Sequence, residues 1–335
     1  MNRLEINLSN TDKVLVIHHW DCDGLCSAVL LHNYLEEIDS RIKVEYFLPE
    51  IGHYFLEEED FEKVKKINPD RIFITDMALQ KKDIHRLKDL TTELCVFDHH
   101  KQEKINGIKH INPFTDNNID SLEYPSTGWV INNFFNKDQN LLSTLGAIGD
   151  QEEKIKDNPE VKRILSETGL SFDDCTNIVR NIDSYYILNN VEKIHYVLNF
   201  LKDNLKNIKT GLSGEIISNK KIIDEEINNI MDDGFSIDKK RRIIIKRIDS
   251  DFQVISNISR KIAKEFPDYL VIVINNNSST LANIYFRNNG PDADLTSIMD
   301  YAKGKNYNAG GKKEVVGIFC PVSEVEEVVK DAIDI

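Results

Sequence analysis

The segment His18-His19-Trp20-Asp21-Cys22-Asp23-Gly24 sets two carboxylates two residues apart at the end of a short β-branched apolar run. Asp76 follows a later run of the same kind, Asp98-His99-His100 follows another, and Gly149-Asp150 closes a short apolar stretch further on. Carboxylates at i and i+2 in an extended or turning segment can each face a different cation, and Gly24 lets the chain turn into a helix directly after them. Oxygen and imidazole donors without thiolates favour Mn²⁺ or Mg²⁺ over structural zinc. Two such ions about 3.5–4 Å apart clamp both the attacking and the leaving oxygen of an in-line displacement at phosphorus. That arrangement needs a bridging carboxylate, and Asp76 is the natural choice. Any one of these aspartates taken singly reads as a helix cap or a turn residue. The pair His99-His100 alone reads as surface or satisfied core. Four acidic or histidine sites in order, each after a short apolar run, point to a binuclear metal centre.

The elements that must position these residues alternate between strand and helix patterns. Residues 14–18, 44–48, 71–75 and 94–97 are short buried-strand runs, and helical stretches fall at 24–38, near 57–67 and near 80–90. Such alternation implies βαβ units and a parallel sheet covered on both faces. Ligands of these sheets bind at the carboxyl ends of the strands, which is where the acidic residues lie. From about 125 to 205 the pattern is helical, with Ser126 capping a helix through Phe135. The stretch from about 206 to 235 is also mostly helical and ends at Asp232-Asp233-Gly234. Strands return at 242–246, 269–274 and 281–286, with a helix over 252–266. The expected organisation is an α/β chain with a catalytic domain over 1–200, a helical linker over 201–235 and a smaller α/β domain over 236–335.

At 335 residues, with 41% hydrophobic side chains, the chain is long enough for two domains with sizeable cores. No apolar run reaches the roughly 18 residues of a membrane span. The polar N-terminus lacks the apolar stretch of a signal peptide, so a cytoplasmic protein is expected. Five scattered cysteines argue against a disulfide framework. Cys22 and Cys26 have no second Cys pair or Cys/His cluster beside them and read as buried thiols. The formal net charge of −14 gives no basic footprint in bulk for a long nucleic acid. Either the basic residues are concentrated locally, as in Lys239-Lys240-Arg241-Arg242 with Lys246-Arg247, or the substrate is short. That cluster reads equally as a solvated face of an edge strand.

Asp21-x-Asp23-Gly24, Asp76, Asp98-His99-His100 and Gly149-Asp150 resemble the successive motifs of the DHH phosphoesterase superfamily over roughly residues 14–155. That group includes RecJ exonucleases, nanoRNases, cyclic-dinucleotide phosphodiesterases and family II pyrophosphatases. The resemblance implies a DHH domain joined to a DHH-associated domain, with the active site in the cleft between them. It implies two divalent ions, Mn²⁺ preferred and Mg²⁺ acceptable. Asp21 and Asp76 would hold one, and Asp23, Asp76, His99 and Asp150 the other. His100 would face the scissile phosphate, with Asp98 orienting the histidines. Many members carry a His four residues before the first Asp, where this chain has Ile17. RecJ-like branches lack it too, so the gap points toward them. For His18 and His19 three roles stay open: approach to the first ion, contact with substrate, or packing.

The C-terminal region resembles the family's substrate domain. Arg287 fits a phosphate-binding arginine. The segment Ala309-Gly310-Gly311-Lys312-Lys313-Glu314-Val315-Val316-Gly317 resembles the signature Gly-Gly-His-x-x-Ala-Ala-Gly, with Lys312 in place of His and two valines in place of the alanines. A Gly-Gly loop with a lysine suits phosphate; the alternative is a hairpin turn with exposed lysines. The leading expectation is a RecJ-like exonuclease on single-stranded DNA or RNA. Hydrolysis of short oligonucleotides or cyclic dinucleotides is the second enzyme reading and fits the net acidity better. A replication or repair scaffold is the non-enzyme alternative, disfavoured by the intact acidic set, and a protein partner of that kind stays open beside catalysis.

Overall fold

A computed structural model describes residues 13–115, 122–212, 215–276, 280–291 and 293–335, and of Lys312 the backbone. The chain divides into two units, Met1–Tyr186 with Asn190–Ile216, and Ile187–Asn189 with Ile217–Ile335.

In the first unit the apolar runs form strands β1 (Lys13–His18), β2 (Lys43–Phe47), β3 (Arg71–Thr75), β4 (Glu93–Phe97) and β5 (Lys109–Ile111). Helices α1 (Cys22–Ile38), α2 (Glu58–Ile67) and α3 (Lys81–Lys88) alternate with them. The sheet order is β2-β1-β3-β4-β5 and every pairing is parallel. Because β2 lies on one side of β1 and β3 on the other, the chain reverses direction across the sheet at β1–β3. Open α/β sheets bind ligands at such a switch point, outside the carboxyl ends of the strands. Val14, Val16, Ile72, Ile74 and Val96 are wholly buried, as continuous runs in a sheet covered on both faces must be.

The helical half follows as α4 (Thr127–Phe135), α5 (Leu141–Gln151), α6 (Pro159–Thr168), α7 (Phe172–Ile187), α8 (Val191–Asn204) and the single turn α9 (Ile208–Gly211). Helix starts are fixed by side-chain caps. Asp21 accepts from the Gly24 N–H, Ser126 from the Trp129 N–H, and Asn140 and Ser143 form a reciprocal capping box. Helix α1 packs on α4 and α5, which brings the Asp150 helix over the segment that carries Asp21 and Asp23. Strand β5 escaped sequence reading because it is only three half-buried residues, Lys-His-Ile, with no apolar run.

The second unit contains α10 (Ile216–Asp232), β6 (Ser236–Asp238), β7 (Ile243–Ile248), α11 (Ile255–Glu265), β8 (Leu270–Asn275), β9 (Leu281–Arg287), α12 (Thr296–Gly304), β10 (Asn308–Lys312), β11 (Val315–Pro321) and α13 (Val325–Asp334). Its sheet runs β10-β11-β9-β8-β7-β6, with only β7 and β8 parallel. Alternation along β7 and β8 splits the core in two. Ile243, Ile272 and Ile274 meet α12 and α13 on one face, while Ile244, Val271 and Val273 meet α10 and α11 on the other. Within the stretch expected to link the domains, α10 places Ile223 and Ile227 in this second core. Among the described residues no helix is long and apolar enough to cross a membrane.

Candidate metal centre

The strand register builds the centre. His18 lies beside Thr75, Thr75 beside Phe97, and Phe97 beside Ile111, so the four strands end level. Pairing continues one residue further, from the His19 N–H to the Thr75 carbonyl, from Asp76 to Phe97 and from Asp98 to Ile111. His19, Asp76 and Asp98 therefore stand side by side on one edge. Asp76 makes the exit from β3 with φ +62°, the left-handed region that non-glycine residues rarely occupy. Strain of this kind in a buried residue persists where the surroundings over-determine it, as at functional sites.

Three groups of ligand-type atoms converge there: His19, Asp21 and Asp76; Asp23, His99 and Asp150; and Asp76, His99 and His100. In the first, His19 Nδ1 lies 2.8 Å from Asp21 Oδ2 and 3.8 Å from Asp76 Oδ2. Gly24 is required beneath it, because a Cβ there would come within 2.5 Å of the His19 Cβ and carbonyl oxygen. Burial pushes the Asp21 carboxyl up, but the His19 imidazole and the Gly24 N–H bring it down to about 2.

In the second group Asp23 is fully buried and accepts hydrogen bonds from the N–H groups of Thr127 (2.7 Å) and Gly128 (3.4 Å) and from the Ser27 hydroxyl (3.2 Å). Burial, and then the Asp150 carboxylate, push it up to about 6. Gly146 lets α5 approach this closely, since a Cβ there would lie 2.1 Å from Asp23 Oδ1. His99 Nδ1 faces the Tyr124 carbonyl at 3.4 Å, which leaves Nε2 turned inward, 2.7 Å from Asp150 Oδ2, 3.6 Å from Asp76 Oδ1 and 3.9 Å from Asp23 Oδ2. Burial lowers the pKa of His99, yet Asp150 and the other carboxylates outweigh it and hold it up at about 9.

Asp76 touches all of this. It accepts the Thr127 hydroxyl at 2.9 Å, and burial followed by Asp23, Asp21 and Asp150 push its carboxyl well above the usual range. Asp98 plays a different part. Its Oδ1 accepts the backbone N–H groups of His99 (2.7 Å) and His100 (3.1 Å) and lies 2.8 Å from His100 Nδ1. Burial pushes Asp98 up, but the His100 imidazole holds it below its ordinary value. The His100 side chain, held at Nδ1, is 42% exposed. Burial pushes His100 down and the Asp98 carboxylate more than offsets it, so its pKa is raised.

A divalent cation fits this donor set. The buried ring nitrogens His19 Nδ1 and His99 Nε2 make no aligned hydrogen bond, although carboxylate oxygens stand 2.8 and 2.7 Å away. Four aspartates packed around two imidazoles carry more negative charge than the histidines can offset, which favours a cation between them. The sulfurs of Cys22 and Cys26 lie 3.9 Å apart, buried and outside these groups. Of the two histidines left open by the sequence, the structure brings only His19 to the acidic cluster. His18 Nδ1 turns to the His19 carbonyl at 2.8 Å, its Nε2 is buried, and burial lowers it to about 4.

Asp183, on α7, escaped sequence reading because no strand or glycine precedes it. Its Oδ1 accepts the Cys22 N–H at 2.9 Å, pinning the peptide between Asp21 and Asp23. Burial, and then Asp21, raise its carboxyl well above the usual range. No local pattern could have flagged a residue that acts by tertiary contact.

In the second unit Gly310 and Gly311 lie in strand β10, paired with Gly317 and Val316, and not in a loop; the turn falls at Lys313-Glu314. Lys312 is the last residue of that edge strand. Arg287 ends β9, is buried, and donates from Nε to the Ser259 hydroxyl at 3.1 Å. The basic cluster is partly engaged within the unit. Lys246 is buried and donates to the Gly234 carbonyl, and Arg241 and Arg247 pair with Asp334 and Glu326. Strand β7 is also internal to its sheet, with β6 outside it.

Residues 13–166 match the family described as DHH family, N-terminal domain. Among solved structures, the DHH domain of a member of the s1p family of ribosomal proteins aligns with a TM-score of 0.69 at 17% identity, covering 96% of this chain and 86% of that one. An exonuclease RecJ bound to manganese aligns with a TM-score of 0.64 at 16% identity, covering 96% and 89%. RecJ from Thermus thermophilus in complex with Mn²⁺ aligns at 0.67 and 15%, covering 96% of this chain but 52% of that one. At these identities the likeness is one of fold. A comparison with curated proteins finds no match.

Proposed function

We propose, from the premise that this chain belongs to the DHH superfamily through residues 13–166, that it is a metal-dependent phosphodiesterase of the RecJ-like branch, acting on single-stranded DNA or RNA. The observation that carries this reading is Asp76, a buried, left-handed carboxylate common to two of the three ligand groups. Asp21, Asp76 and His19 would hold one divalent ion, and Asp23, Asp76, His99 and Asp150 the other. Mn²⁺ is the preferred occupant and Mg²⁺ the alternative. When bound, such a pair lowers the pKa of water and offsets charge on the attacking and leaving oxygens. The rest falls to the chain's own groups. His99 offers Nε2 because the Tyr124 carbonyl occupies its Nδ1 side. Asp98 fixes the backbone of both histidines and the ring of His100. His100 stands with its exposed ring toward a bound phosphate, and the Asp98 carboxylate beside it raises its pKa. Arg287, Gly310, Gly311 and Lys312 remain the proposed phosphate contacts of the second unit.

The burial of Lys246 and the pairing of Arg241 and Arg247 favour a second reading, in which the substrate is a short oligonucleotide or cyclic dinucleotide. Few phosphates then need neutralising, which suits a net charge of −14. The test of both is an assay with Mn²⁺ on 5′- and 3′-labelled DNA and RNA of graded length, with cyclic dinucleotides alongside. Hydrolysis should fall more than about 100-fold in Asp76→Ala, beyond what loss of an outer partner costs. Full activity in that variant refutes the two-metal reading.

A further inference from the structure

The loop between β2 and α2 carries an aromatic ring to the edge of the metal centre. Tyr54 stacks on the His19 ring with centroids 5.6 Å apart and planes 30° from parallel. It also meets the edge of Trp20 at 5.3 Å, and Trp20 packs against His19 at 4.1 Å. Trp20 is 3% exposed, whereas Tyr54 is 43% exposed. The buried indole and imidazole thus form a floor that holds the tyrosine ring in place, and the same imidazole reaches Asp21 at 2.8 Å. The His19 imidazole thus links the tyrosine ring to the Asp21 carboxylate of the candidate metal centre.

Resting on the phosphoesterase reading above, we infer that Tyr54, braced by His19 and Trp20, is a stacking platform for the nucleobase next to the phosphate at the metal centre. The substrate is then a nucleotidyl phosphodiester and not an inorganic phosphate chain. The tyrosine ring carries no charge, so it adds nothing to binding phosphate itself. What it offers is π-surface, which every base can use whatever its identity. It also answers how a net acidic chain, with Arg241 and Arg247 paired and Lys246 buried, can hold nucleic acid: contact with the base substitutes for contact with successive phosphates.

The test is calorimetric titration of the Mn²⁺-loaded full chain with AMP and with ribose 5-phosphate, which differ only in the base. The wild type should bind AMP about tenfold more tightly, within the range for one base stacked on an aromatic side chain. Tyr54→Phe should keep that preference, and Tyr54→Leu should abolish it while leaving ribose 5-phosphate and Mn²⁺ binding unchanged. Equal binding of the two ligands by the wild type, or a preference that survives in Tyr54→Leu, overturns the proposal. Loss of Mn²⁺ from Tyr54→Leu also counts against it, since the ring is then a brace for His19 only. Labelled oligonucleotides assayed in parallel separate the two ideas. A wild type that prefers AMP but cleaves no phosphodiester refutes the phosphoesterase reading and upholds the platform.

Discussion

Replacing Asp23 with asparagine should make the metal-free protein more stable at neutral pH. Asp23 is buried among Asp21, Asp76 and Asp150, and its carboxyl is pushed from 3.8 to about 6. Its folded-state pKa lies above its unfolded value, so its contribution to stability is fully present below about pH 4 and is lost as pH rises through 6. At about 1.36 kcal/mol per pH unit, the ionised group costs on the order of 3 kcal/mol in the folded state. Asparagine is almost isosteric and removes the charge. Its amide oxygen can accept the Thr127 N–H and its NH₂ can donate to a Ser27 hydroxyl turned the other way, so only the longer bond from Gly128 is lost. Urea unfolding of chelator-treated protein should show little difference between wild type and Asp23→Asn at pH 4, and a gain of about 2–3 kcal/mol for the variant at pH 7.5. Added Mn²⁺ should reverse the ranking, since it stabilises only the protein that binds it. A difference that does not change with pH, or a less stable variant at pH 7.5, would refute the reasoning.

Three other perturbations follow from the same geometry. Mn²⁺ must displace the proton that the surrounding carboxylates hold on His99 up to about 9, and one that Asp23 holds up to about 6. Affinity measured by titration should therefore rise from pH 6 to pH 9, and a flat profile contradicts the ligand set. Gly146→Ala places a methyl group 2.1 Å from Asp23 Oδ1. The expected result is a loss of about 1–3 kcal/mol in stability with weakened Mn²⁺ binding; unchanged Mn²⁺ affinity would show that Asp23 is not a ligand. Asp183→Asn keeps an acceptor for the Cys22 N–H and should bind Mn²⁺ nearly normally. Asp183→Ala orphans that N–H and should weaken binding about 10–100-fold, so equal affinities in the two variants would exclude a positioning role.

The centre was legible in the sequence because its residues follow strands. In a parallel sheet with level strand ends, an acidic residue after each apolar run lands on the same edge; Asp76 and Asp98 do so, and Asp21 follows two residues after His19 as the cap of α1. Asp150 was found by its motif, although it sits on helix α5 and not after a strand. His19 and His18 could not be told apart, because alternation sends adjacent side chains opposite ways and only the turn after β1 decides which faces the acids. Asp183 and Tyr54 were invisible, since each acts through contacts distant in sequence. The Gly310-Gly311 segment was misread as a loop because glycine pairs more often mark turns; here the chain runs extended against β11. The partners of Arg241 and Arg247 were not legible because charge counts do not show them; Asp334 and Glu326 arrive from the last helix.

The level strand ends have a consequence for how the molecule forms. Strand β1 pairs with β3, Val14 beside Arg71, before Asp21 and Asp76 can meet, and Asp150 arrives only when α5 docks on α1. No early segment of the chain holds all of these carboxylates and imidazoles, so a cation would find the full candidate site only after these long loops have closed. Binding there would act on the finished structure, slowing its opening more than it speeds its assembly. A cation in the candidate centre would be the final latch of the fold.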